Sequence, residues 1–173
     1  MENNIEYGDI FRLGEHRLAC GKAEDPEILK KLIGPDILKM ICCDVPYGIA
    51  VTESKQGFTG TKHKVIANDQ IQSDESYAAF TREWLEAIRP YLAVKNSCYI
   101  FNSDKMVFAL RAGMLQAGLK FSQLIIWVKS HAVVGRLNYL PQHELIAFGW
   151  FGTHEFRKSQ DKSVLFYPRP SKS

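Results

Sequence analysis

Apolar and polar positions alternate along this chain in blocks of two kinds. A mostly apolar run from Ile37 to Cys43 stops at Asp44, and Lys39–Cys43 reads as a strand near the middle of a sheet. Further on, Tyr77, Phe80, Trp84, Ile88 and Tyr91 recur at spacings of three and four. That stripe predicts an amphipathic helix, with Pro90 near its end. Cys98–Phe101 reads as a second buried strand. A second helix follows, with Val107, Leu110, Met114 and Ala117 on one face, Asp104 as its cap and Gly118 as its stop. Gln123–Val128 and Glu144–Phe148 are two more expected strands, separated by a loop over 130–142. Ahead of all this, residues 16–20 form a short strand. Asp25-Pro26 then opens a helix that ends at Gly34-Pro35. Residues 52–75 are polar and irregular, a long loop of the kind that usually has a function.

The order strand, helix, strand, helix, strand predicts an α/β layered sheet with helices on its faces. In open sheets of this type ligands bind beyond the carboxyl ends of strands. Asp44 and Asn102-Ser103 stand at two such ends.

Length, 173 residues, suits a single domain over 1–173 with a sizeable core. No run of about 18 apolar residues occurs, so no membrane span is expected. The opening MENNIEYGDI has no cationic and apolar leader, so no secretory signal is expected either. The four cysteines, Cys20, Cys42, Cys43 and Cys98, form no CxxC pair. They read as buried thiols acting as small apolar residues, and no metal site is expected. Charge changes the picture more. Residues 1–104 carry 12 basic and 16 acidic side chains, and residues 105–173 carry 10 and 3. A basic second half suits a polyanionic partner such as nucleic acid, although a solvated surface gives the same count.

The stretch Asp44-Val45-Pro46-Tyr47-Gly48 is where candidate chemistry concentrates. Asp44 is an acceptor when ionised. Pro46 restricts Val45 to an extended backbone, which stiffens the carbonyl between them. Tyr47 offers a flat face, and Gly48 permits a sharp exit. Two acceptors beside an aromatic plate fit a planar ring bearing an exocyclic NH2. A plain turn with an exposed tyrosine and a capping aspartate would need the same residues.

Context separates these readings. DVPYG resembles the (D/N/S)PP(Y/F/W) motif that follows a strand in the DNA methylase N-4/N-6 family, β class. GDIFRLGEHRLACGKA (8–23), YIFNS (99–103), LIIWVKS (124–130), GRLNYLPQHELIAFGW (135–150) and VLFYPRPSKS (164–173) are similar to further stretches of that family, in the same order. The resemblance spans nearly the whole chain. It implies a Rossmann-like methyltransferase sheet and transfer of a methyl group from S-adenosylmethionine to adenine N6, or cytosine N4, in double-stranded DNA. Adenine is the favoured base. It implies a cytoplasmic, prokaryotic or phage-type enzyme of the restriction–modification kind. Asp44, Val45, Pro46 and Tyr47 would be catalytic. Asp44 and Gly21 would also meet the cofactor. Lys129, Arg136 and Asn138 would contact DNA; ordinary surface charge is the competing reading for the two cations.

Three departures qualify what the resemblance implies. Val45 stands where the family has proline, which keeps the backbone acceptor but loosens it. Lys22 stands where an acidic side chain would help to hold the cofactor. The family's glycine-rich cofactor loop, DPFxGSG, is expected later than any residue here, and no GxG occurs in the sequence. The chain therefore reads as the target-base half of such an enzyme. Cofactor binding would depend on a carboxy-terminal segment or a companion chain. A non-catalytic DNA-binding remnant is the alternative. Among the remaining residues, 52–66 could close over a base, His143-Glu144 reads as a structural pair at a strand end, and Trp84, Trp127 and Trp150 read as core.

Overall fold

The chain begins with a hairpin that only half shows in the sequence. Strand β1 (Ile10–Leu13) pairs antiparallel with β2 (His16–Ala19), and Gly14 takes φ 64° in the turn between them. The computed structural model describes residues 4–48, 72–133, 138–154 and 161–167. Helix α1 (Pro26–Ile33) starts as expected. The Asp25 carboxylate accepts from the Glu27 and Ile28 amides, and Pro26 spends no backbone donor in the first turn.

Strand β3 (Leu38–Asp44) follows, then α2 (Asp74–Ile88), capped by the Ser73 hydroxyl. Pro90 ends that helix in a short 3-10 turn, Arg89–Tyr91. Next come β4 (Leu92–Asn102), α3 (Val107–Gln116), β5 (Leu119–Val128), β6 (His143–Phe151) and β7 (Val164–Phe166). The five-stranded sheet has the order β3-β4-β6-β5-β7. β3 runs parallel to β4, and β7 to β5; β6 is antiparallel to both neighbours. One rim therefore collects the carboxyl ends of β3, β4, β5 and β7 together with the amino end of β6.

Ile41, Cys98, Ile100 and Ala147 face α2 and α3, where Tyr77, Trp84, Leu85, Leu110 and Met114 complete the core. Burying each of the larger side chains contributes roughly 1.5–3 kcal/mol. Both helices lie on this face, and α1 packs against α2 and β2. The helices cross closely at Gly113, where an added Cβ would stand 2.5 Å from the Ala78 carbonyl oxygen. The opposite face carries an aromatic row. The Tyr99 and Phe148 rings are 4.9 Å apart, and those of Phe148 and Trp150 are 5.7 Å apart. Trp84 and Trp150 are buried as expected, whereas Trp127 is half-buried, edge-on to Phe101. Two more expectations fail: of the four thiols only Cys98 is buried, Cys42 being exposed, and the expected cap is not used. Asp104 does not cap α3, because two turn residues intervene, and Met106 occupies the cap without a side-chain bond. The Val107 amide instead donates to the Ser103 carbonyl. Among the described residues no helix is long and apolar enough to cross a membrane.

Candidate functional site

Strand alternation decides where Asp44 points. Ile41, Cys43 and Val45 turn toward the helices, so Asp44 takes the opposite face, paired in register with Phe101. Its side chain is exposed, while the Val45 side chain is buried and anchors the turn. Two fully buried residues hold that turn from beneath. The Tyr77 hydroxyl donates to the Pro46 carbonyl at 2.9 Å and accepts from Asn102 Nδ2 at 2.7 Å. Gly48 has φ 64° and lies against the Tyr77 ring; its carbonyl accepts from the Gln72 amide at 3.1 Å. Two of the turn's carbonyls are thereby engaged.

Tyr47 leans back over the rim. Its hydroxyl lies 3.0 Å from Asp44 Oδ1 and 3.3 Å from Glu144 Oε2. A phenol has one hydrogen, so the two carboxylates share it. The other Glu144 oxygen pairs with the Lys129 ammonium, and both side chains are more than three-quarters buried. That ammonium stands 5.8 Å from the Trp127 ring centre. Burial, followed by the nearby Glu144 and Asp44 charges, holds the Tyr47 phenol far above its ordinary pKa. Tyr47 is therefore a neutral donor at any physiological pH.

Asp44, Val45, Pro46 and Tyr47 thus stand together, with Lys129 joined to them through Glu144. Gly21 follows β2, and the space a Cβ there would need is filled by the Ile28 side chain of α1. Asn138 is exposed in the loop before β6. Arg136 and the stretch 52–66 lie outside the described residues. His143 is exposed, and the partners of Glu144 are Lys129 and Tyr47. The loop after β5 is clasped at its neck. The Lys129 amide donates to the Gln142 carbonyl at 2.8 Å, Gln142 Nε2 donates to the Lys129 carbonyl at 3.0 Å, and the Val133 amide donates to the Pro141 carbonyl at 2.8 Å.

The parts played by Glu144 and Tyr77 do not show in the sequence. Tyr77 looks like one more member of a helical stripe. Glu144 sits at the amino end of an antiparallel strand, where a rule about carboxyl ends does not point. One signal was available: Glu144 is one of three acids among ten basic residues in 105–173, and it opens an apolar strand.

The rim offers a carboxylate and an aromatic ring beyond the ends of parallel strands, where open α/β sheets bind their ligands. The chain belongs to the DNA methylase family, whose model matches residues 38–171. Its fold is that of solved M1.HpyAVI structures. The M1.HpyAVI–SAM complex is 17% identical with a TM-score of 0.53, covering 85% of this chain and 64% of that one. A second M1.HpyAVI structure is 16% identical with a TM-score of 0.51, covering 82% and 62%. This chain therefore spans less than two thirds of the length of either. No curated protein matches it.

Proposed function

We propose that this chain grips the target base of a DNA amino-methyltransferase, adenine at N6 in preference to cytosine at N4. The observation that carries the reading is the exposed Asp44 carboxylate beside the Tyr47 ring, on a turn pinned from within by Tyr77 and Asn102. A base inside a duplex must first leave the stack. Its amino group then donates one hydrogen to Asp44 and the other to the Val45 carbonyl, the neighbouring Pro46 carbonyl being engaged by Tyr77. Both bonds draw the nitrogen toward a tetrahedral shape and free its delocalised lone pair for in-line attack. Tyr47 stacks on the ring, a contact worth roughly 1–3 kcal/mol. Arg136 and Asn138 serve the DNA backbone, while the Lys129 ammonium, first expected there too, is taken up by Glu144.

S-adenosylmethionine supplies an electrophilic methyl group when bound. At Gly21 the residues do not fit this donor, since Ile28 fills the space beside it. Donor binding falls to a further segment or a companion chain.

The test is direct. Unmethylated duplex DNA is incubated with the protein and S-adenosylmethionine, with and without a chain carrying a glycine-rich cofactor loop, then digested to nucleosides and analysed by mass. N6-methyladenine is the expected product, and Asp44→Ala should lower the rate by about a hundredfold or more. N4-methylcytosine would correct the base. If neither methylated base appears in either mixture while the protein still binds DNA, the chain is a binding module and not a catalyst.

A further inference from the structure

Tyr47 has two acceptors and one hydrogen to give. The nearer acceptor, Asp44 Oδ1 at 3.0 Å, is also the atom that the incoming amino group needs. The farther one, Glu144 Oε2 at 3.3 Å, comes from the far side of the rim, on β6. Glu144 cannot drift, because its second oxygen is held by Lys129 in a pocket where their side chains are 22% and 23% exposed. Lys129 in turn is fixed by the clasp between its backbone and Gln142.

We infer that Glu144 is a positioning residue for base capture: it keeps the Tyr47 hydroxyl, and so the stacking ring, in place when Asp44 is given over to the amine. Without Glu144 the phenol would compete with the base for Asp44, or release it and lose its orientation. The inference rests on the reading of Tyr47 and Asp44 given above. It goes beyond that reading because Glu144 touches neither the base nor the donor. The groups that face the Tyr47 hydroxyl are Asp44 on β3 and Glu144 on β6, with Lys129 behind Glu144.

A double-mutant cycle on methyl transfer reads this out. Glu144→Ala should raise the KM for duplex DNA by about tenfold and change kcat less than about threefold, the scale of one charged hydrogen bond. Glu144→Gln, which keeps an acceptor oxygen, should recover most of the loss. In a Tyr47→Phe background, Glu144→Ala should cost almost nothing more, because no hydroxyl remains to be held. An equal loss in both backgrounds overturns the inference, since a merely structural role would add. A wild-type protein that stays inactive both with and without the chain carrying a cofactor loop overturns the functional reading instead. A second measurement does not depend on turnover. With tyrosine labelled at Cζ, the Tyr47 resonance should stay protonated where exposed tyrosines titrate, and its midpoint should move down in Glu144→Gln while burial still holds it above theirs. Titration of wild-type Tyr47 alongside the exposed rings would show that the carboxylates do not hold it.

Discussion

Replacing Tyr77 by phenylalanine removes a single oxygen, and the structure says what that oxygen does. It donates to the Pro46 carbonyl and accepts from Asn102 Nδ2, at 2.9 and 2.7 Å. Tyr77 and Asn102 are both 0% exposed, so bulk water cannot take over the bond between them, while Pro46 is partly exposed. Asn102 Oδ1 already lacks a partner among the described residues. Tyr77→Phe would therefore leave the Asn102 amide and the Pro46 carbonyl without their partner. Each orphaned group costs about 1–3 kcal/mol, and the phenyl ring still fills its place in the core. A loss of about 2–4 kcal/mol is expected, or roughly 5–15 °C in Tm for a chain of this length. Urea unfolding of wild type, Tyr77→Phe, Asn102→Leu and the double variant would measure it. The double variant should cost less than the sum of the single ones, because removing one group also removes its partner's demand. A Tyr77→Phe loss below about 0.5 kcal/mol, or strict additivity, would refute the claim that this buried pair holds the turn.

Two further outcomes follow from packing and burial. Gly113→Ala should separate α2 from α3, since the new methyl would lie 2.5 Å from both the Ala78 carbonyl oxygen and Thr81 Cβ; a cost of about 1–3 kcal/mol in urea unfolding is expected. Burial, and then the Asp44 charge, pushes the Cys43 thiol up to about 11, and burial pushes Cys98 up to about 12. The unfolded thiols ionise near pH 8.5 and the folded ones do not, so the unfolded state holds fewer protons above that pH and stability falls as pH rises. The urea midpoint should drop between about pH 8.5 and 10.5, and drop less steeply in Cys98→Ala.

Much of this fold is legible where one residue type has one local use. Asp25-Pro26 could only begin a helix well, and it does. The three-and-four spacing of Tyr77, Trp84 and Leu110 with Met114 finds the core, because burial is what that spacing encodes. The partner of β2 stays hidden, since Ile10–Leu13 is only four residues long and mostly exposed. The first half of β5 is obscured by Lys120, Ser122 and Gln123, where the register also shifts. Asp104 misleads because a capping residue two positions too early reads the same as one in place. Within the candidate site, DVPYG announces itself through its unusual order of residue types. Glu144 and Tyr77 do not, since their partners lie 97 and 31 positions away.

The doubled clasp between Lys129 and Gln142 has a consequence for how such a protein can diversify. Whatever lies between those two positions hangs from a closed ring of hydrogen bonds. Sequence there can be lengthened, shortened or exchanged without pulling on the strands, because extra loop costs only a slowly growing entropy. Selection is thus at liberty to rewrite this appendage while the strands behind it are inherited intact.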